Sequence, residues 1–265
     1  MKLSKIYTAL AFSTVLATSA HANLILNGDF SDAGGITTPT QFGTASGNGY
    51  TASNFIANWT GNDGYEIWYP SASDATTMNA TGQWTSTGQE MLWGPVAPPP
   101  SGSGSFVGLD GDQTAGVQSS ISQQVTGLTA GQQYTLTFDW GAAQMQSRTG
   151  GTTEFLQVSF GDDTQYTGTN GAQSTIPTGN DLLNNASEGF TGWQSATMTF
   201  TATATSQALT FLSVGTPSGL PPMALLTNVS MVANPSVPEP SMMMLFGTGL
   251  FGLAFISRRC AVTLG

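Results

Sequence analysis

Four glutamates, Glu66, Glu90, Glu154 and Glu188, are the residues of this chain best suited to bond cleavage. A carboxylic acid and a carboxylate set on either side of a sugar ring cleave a glycosidic bond, one as acid, the other as nucleophile or base. Spacing along the chain pairs no two of them, and in an acidic chain a solvated face is the plainer expectation. Asp110-Gly111-Asp112 is an oxygen-rich turn able to approach a hard cation, although two acids one residue apart fall well short of an EF-hand loop. Arg148 is suited to a bidentate bond with a carboxylate, either of a ligand or of the protein itself, and an internal structural pair is the expectation. Aromatics gather between Tyr50 and Trp93. Exposed rings beside Asn, Gln and Asp are what a sugar-stacking surface needs, whereas buried rings are core. Trp59 and Trp140 sit at strand positions and are expected inside; Trp68, Tyr69, Trp84 and Trp93 lie in loop-rich sequence and are the candidates for glycan contact.

Other chemistries are excluded by what is missing. The one histidine, His21, and the one cysteine, Cys260, lie near the two ends of the chain. The stretch between them holds no disulfide, no Cys/His zinc site, no cysteine nucleophile and no Ser-His-Asp triad. Of the fifteen acids only Glu239 lies beyond residue 236, and of the five bases Lys2, Lys5, Arg258 and Arg259 are terminal. Residues 23–236 therefore carry fourteen acids against Arg148 alone. Such a surface repels nucleic acid and anionic lipid, so neither is an expected partner.

The elements that must position these groups read as strands. Tyr134, Leu136, Phe138 and Trp140 alternate with Thr135, Thr137 and Asp139, and Ile121, Gln123 and Val125 alternate before them, with Gly127–Gly131 as the turn between. Leu156, Val158 and Phe160 form another strand, as do Ala196, Met198 and Phe200, the run Ala208–Val214, and Leu225–Val232. Leu24–Leu26 is a first short strand, stopped at Asn27-Gly28. Residues 97–105 read as an exposed Pro/Gly/Ser loop, and 161–191 as a long polar loop with one helical turn near Asp181–Asn184. Several short strands separated by turns, and almost no helix signal, predict an all-β, antiparallel two-sheet sandwich over residues 23–233.

The two ends are of another kind. Lys2 and Lys5 precede an apolar run and Ala20-His21-Ala22, the pattern of a secretory signal peptide over 1–22 cut by signal peptidase after Ala22. At the other end a linker, 234–240, contains Pro238-Glu239-Pro240. An uncharged span, 241–257, follows, about 25 Å long if helical, and then Arg258-Arg259 in a basic tail, 258–265. The span is expected to be a single transmembrane helix, with the tail cytoplasmic and residues 23–236 on the outer side.

This C-terminal arrangement resembles the PEP-CTERM sorting signal of Gram-negative bacteria, carried by Pro238, Glu239, Pro240, the apolar span, Arg258 and Arg259. The resemblance implies an exosortase as processing partner. It also implies an inner-membrane precursor facing the periplasm, then the cell surface or extracellular matrix, often in company with exopolysaccharide. Asn23–Phe30, Trp59, Ser105–Gly111, Ile121–Val125, Gly131–Trp140 and Leu225–Ser230 together resemble galactose-binding-like jelly rolls, including the DUF642-like choice-of-anchor group. That likeness implies a jelly roll and a role in binding extracellular polysaccharide without catalysis. It also implies a structural calcium held by an acid after Phe30 and another before Asn228, where this chain has Ser31 and Thr227. No other cofactor is expected, and Asp110 and Asp112 are the candidate cation ligands. A matrix or adhesion protein without a ligand, and a carboxylate-dependent glycoside-active enzyme, are the competing classes.

Overall fold

The computed structural model describes residues 22–43, 53–62, 64–76, 91–146 and 148–235. The chain first lays down β1 (Thr40–Phe42), β2 (Thr60–Gly61) and β3 (Glu66–Tyr69), then the short helix α1 (Ala72–Thr76) and β4 (Phe106–Asp110). Three longer strands follow: β5 (Ser120–Thr126), β6 (Gln133–Gln144) and β7 (Thr152–Phe160). Next come β8 (Asp163–Gly168), β9 (Gly171–Gln173), a 3-10 turn at Gly179–Asp181 and β10 (Leu183–Asn185). The last strands are β11 (Gln194–Thr201), β12 (Ser206–Thr216) and β13 (Pro222–Ala233).

They form two antiparallel sheets, ordered β1-β3-β4-β13-β6-β11 and β2-β5-β12-β7-β8-β9, with β10 added to β7. The all-β two-sheet sandwich expected from the alternation is the observed fold. In β11, Ala196, Met198 and Phe200 are buried while Ser195, Thr197, Thr199 and Thr201 face water, as a period of two requires. Between the sheets Leu136, Phe138 and Trp140 of β6 share one core with Leu156, Val158 and Phe160 of β7 and Phe211 of β12. The first sheet is covered on its outer face too. There Ile67, Tyr69, Phe106, Met223 and Leu225 pack with Ala72 and Ala75 of α1 and with Leu92 and Val96. That second layer explains why β4 and most of β13 are buried continuously, the pattern of strands covered on both faces.

Two sequence expectations change. Leu24–Leu26 is not a strand. Leu24 donates one backbone bond to Met231 (2.8 Å), and the Gln123 side chain accepts from the Leu26 N–H (2.9 Å) and donates to its carbonyl (2.8 Å). One side-chain amide thus does for Leu26 what a neighbouring strand would do. The polar stretch 161–191 is not a loop either, since it holds β8, β9 and β10. Thr169-Asn170 is the two-residue turn from β8 into β9, closed by the Gly168–Gly171 pair with Gly171 at φ 100°. Thr164 and Tyr166 are half-exposed, so these strands lack the apolar alternation that marks a buried face.

Gly28 shows why the N-terminal segment needs its glycine. A Cβ there would lie 1.9 Å from the Val229 oxygen, where Val229 also donates its N–H to the Gly28 carbonyl (2.9 Å). Gly28→Ala is expected to cost about 1–3 kcal/mol through forced separation of these backbones, read as a lower urea midpoint with unchanged slope.

Candidate functional site

The aromatics proposed for glycan contact divide on inspection. Trp68 and Tyr69 lie on β3, which is covered on both faces, and this corrects their reading as surface rings. Trp68 is 3% exposed, points into the inter-sheet core and donates Nε1 to the Phe30 carbonyl (2.8 Å). Tyr69 is fully buried on the other face, stacked on Phe106 at 5.0 Å. Trp93 is half-buried, its Nε1 donating to the Arg148 carbonyl (2.7 Å). Trp84 falls outside the described residues. Trp59 and Trp140 are buried, as expected.

Two of the four glutamates depart from the expected solvated face. Glu66 and Glu154 are completely enclosed, Glu188 is exposed, and Glu90 lies outside the described residues. Glu154 stands on β7 between Gly215 of β12 and Leu183 of β10. The Thr152 hydroxyl donates to its Oε1, while Oε2 is buried with no hydrogen-bond partner among the described residues. Burial pushes the Glu154 carboxyl up to about 8, opposed by the Thr152 hydrogen bond and reinforced by the charge of Asp110. Asp110, at the end of β4, is raised by burial to about 7, against the N–H bond from Asp112 and the charge of Arg148. Both acids are enclosed, Glu154 at 0% and Asp110 at 1% exposure.

The Asp110-Gly111-Asp112 turn engages its own backbone. Asp110 Oδ1 accepts the Asp112 N–H (2.8 Å). Asp112 Oδ1 accepts the N–H (3.0 Å) and hydroxyl (2.8 Å) of Thr114, and its Oδ2 accepts the Gly219 N–H (2.6 Å). Burial works to raise the Asp112 carboxyl, but these bonds hold it below the usual carboxylate range. Where the jelly-roll resemblance puts calcium, donors occupy the space between oxygens. Thr227 donates to the Ser105 carbonyl (2.8 Å), and Asn228 Nδ2 donates to Asp139 Oδ2 (2.8 Å) and the Ser101 carbonyl (3.1 Å). Asp29 Oδ1 accepts the Ser31 hydroxyl (2.9 Å). An amide nitrogen among these oxygens does not suit a cation. Among the described residues no three acidic, histidine or cysteine side chains gather as metal ligands.

A different place has the shape of a binding site. Residues 54–59 fold over the edge of the second sheet, anchored by Trp59, whose ring packs on Phe30 (5.1 Å) and whose Nε1 donates to the Asn27 carbonyl (2.9 Å). Asn54 Oδ1 accepts the Gly61 N–H (2.8 Å), and Asn58 stands exposed in the left-handed region at φ 68°. Against this loop lies the outer face of β5 and β12. The result is an open groove of about 620 Å³ lined by Asn54, Asn58, Thr60, Ser122, Gln124 and Ala208 among others. Among the described residues no ionisable side chain lines it. Gln124 is fixed by donating Nε2 to the Ser206 hydroxyl (2.7 Å). Amides and hydroxyls on a rigid strand offer donors and acceptors to a neutral polyol. The outward phase of Ser122 and Gln124 is the complement of Ile121, Gln123 and Val125 and was readable in sequence. The folding of Asn54–Thr60 onto the same edge, 62 residues away from Ser122 in the closest contact, was not.

Half-buried Trp193 was also missed. Its Nε1 donates to the Ala97 carbonyl (2.8 Å), and its ring meets Phe106 (5.4 Å) and Phe190 (6.0 Å) edge-on, pinning the 97–105 loop to the first sheet.

The PEP-CTERM protein-sorting motif model matches residues 236–259, a stretch that contains Pro238, Glu239, Pro240, Arg258 and Arg259 and lies outside the described residues. Among the described residues no helix is long and apolar enough to cross a membrane. No curated protein matches the chain in sequence. Among solved structures it is similar to TmCBM61 in complex with β-1,4-galactotriose, at 12% identity and TM-score 0.39, covering 80% of this chain and 99% of that one. It is also similar to the N-terminal cellulose-binding domain from Cellulomonas fimi β-1,4-glucanase C, at 13% identity and TM-score 0.31, covering 82% and 100%. A third is the enzymatically active domain of bacteriophage CBA120 tailspike protein 4, at 13% identity and TM-score 0.36, where 80% of this chain spans 21% of the other.

Proposed function

We propose that this protein is exported, is sorted to the cell surface through its C-terminal motif, and binds extracellular polysaccharide through a non-catalytic β-sandwich. Signal peptidase and an exosortase are its processing partners in this reading, and the span 241–257 holds the precursor in the inner membrane. The observation that carries the binding claim is the neutral groove of Asn54, Asn58, Ser122 and Gln124 on an otherwise acidic molecule. A sugar polymer offers hydroxyls to amides and hydroxyls, and it is the extracellular partner for which such a lining is complementary without charge.

The test is retention of the purified protein on the producing cell's own exopolysaccharide in affinity electrophoresis. Retardation is expected, and migration unchanged at all polysaccharide concentrations would remove the binding claim. Gln124→Ala should weaken binding by about 1 kcal/mol, roughly fivefold, for one lost neutral hydrogen bond, with no change in thermal midpoint, since the residue is exposed.

A further inference from the structure

The groove is one end of a longer feature. The strand register sets Thr60 of β2 opposite Ser122 of β5, Ser122 opposite Thr210 of β12, Thr210 opposite Ser159 of β7, and Ser159 opposite Thr164 of β8. One hydroxyl residue therefore stands on each of five adjacent strands, in a single row across the outer face of the second sheet. All five are half-exposed or exposed. Strands lie about 4.8 Å apart, so the row is about 19 Å long. The Ser159 and Thr164 hydroxyls bond each other at 2.9 Å and so have defined positions.

Two residues along each strand lies a second row: Ser120, Leu212, Gln157, Tyr166 and Gln173. Here an aliphatic side chain and an aromatic ring, the latter set edge-on against Phe155 at 6.0 Å, run beside the hydroxyls. Among the described residues these two rows carry no charged side chain. β2, β5, β9 and β12 contain no ionisable acid or base. Glu154, the acid of β7, faces the core, and Asp163 lies at the extreme start of β8. A molecule with a net charge of −10 thus keeps these two rows neutral among the described residues.

Resting on the reading of the groove as a polysaccharide site, we infer that its ligand is the interior of an extended, uncharged glycan chain, lying across the strands of the second sheet from Thr60 to Thr164. An extended, equatorially linked sugar chain advances by nearly the strand spacing per residue, and carries hydroxyls at its edges and C–H groups on its faces. The hydroxyl row meets the first and the Leu212–Tyr166 row the second. Four to five sugar units match the length of the row, whereas a terminal sugar would use the groove alone. An acidic glycan would bring charge to a surface with no cation to receive it.

Oligosaccharides of one to eight units, made by partial hydrolysis of the producing cell's exopolysaccharide and separated into neutral and acidic fractions, test this by calorimetry with the full chain in detergent. Affinity for the neutral fractions should rise on the order of tenfold between two and five units and then level off, as three further units are engaged. Thr164→Glu, at the end remote from the groove, should reduce binding of the five-unit fraction and leave the two-unit fraction unchanged. Affinity that is equal for two and five units, or a preference for acidic fractions, overturns the extended site while leaving the groove intact. Absence of binding to every fraction overturns both readings together. Native thermal midpoints of Thr164→Glu and the parent are compared to exclude unfolding as the cause.

Discussion

Raising the pH from 6 to 9 is expected to lower the stability of this domain by a few kcal/mol, with Glu154 as the main cause. In the unfolded chain its carboxyl has an ordinary value near 4.5; in the fold it is pushed up to about 8, and Asp110 rises from 3.8 to about 7. The folded state therefore holds protons that the unfolded state has released. The stability this represents is fully present below about pH 4 and is lost as pH climbs through 7 and 8. Above that, a charged Glu154 would sit fully buried with one oxygen lacking a hydrogen-bond partner among the described residues. Urea denaturation from pH 5 to 9 gives the profile. Glu154→Gln should flatten it, with the variant more stable than the parent at pH 9. At pH 5 it should be equal or slightly weaker, because the new amide N–H₂ finds no obvious acceptor. A parent whose stability is constant or rises across pH 6–9 would show that these acids are ionised in the fold.

The second large effect separates two roles for an aromatic. Trp68→Ala is expected to destabilise the domain by about 3–5 kcal/mol, the cost of emptying a large core position. It also strands the Phe30 carbonyl that now accepts from Nε1. In an affinity assay the variant should bind polysaccharide normally wherever it remains folded, at low temperature and below its own denaturation midpoint. A Trp68 variant with parental stability but lost binding would restore the ring to the surface and contradict its 3% exposure. Carrying out the same comparison on Gln124→Ala gives the opposite signature, weaker binding at unchanged stability. The pair of variants therefore distinguishes core from site in a single experiment.

Much of the architecture was legible because β5, β6, β7, β11 and β12 each bury one face against the other sheet, and that leaves a period of two in the sequence. Tyr134–Trp140 and Ala196–Phe200 are the clearest instances. The readings failed where burial had a different geometry. Glu66–Tyr69 shows no alternation because both of its faces are covered, one by the core and the other by α1 and Leu92. Its composition therefore looks like that of a loop rich in rings. β8 and β9 failed for the opposite reason, since their polar faces are open to water. The Leu24–Leu26 run reads as strand because no local pattern announces that the Gln123 amide will complete the Leu26 backbone from 97 residues away. For the site, Ser122 and Gln124 were visible as outward residues, but a row of hydroxyls across five strands exists only through register. The spacing that matters is between strands, and the sequence holds only spacing along them.

The position of β13 has a mechanical consequence. This strand is the interior member of the first sheet, bonded along its length to β6 and over part of it to β4, and its last residues are tied again from the sides. Asn234 receives the Gln132 amide on its carbonyl (2.7 Å) and the Thr135 hydroxyl on its side chain (2.5 Å), while its N–H donates to Gln133 (2.8 Å). A tension applied at Pro235, the residue leading into the 236–259 motif, is thus directed along a central strand. It loads the flanking ladders in shear, so that many hydrogen bonds resist together instead of opening one at a time. A fold held by its tail and gripped on the opposite sheet would transmit drag through its most cross-linked strand, and its rupture force should exceed that measured when the same domain is pulled from the exposed edge strand β11.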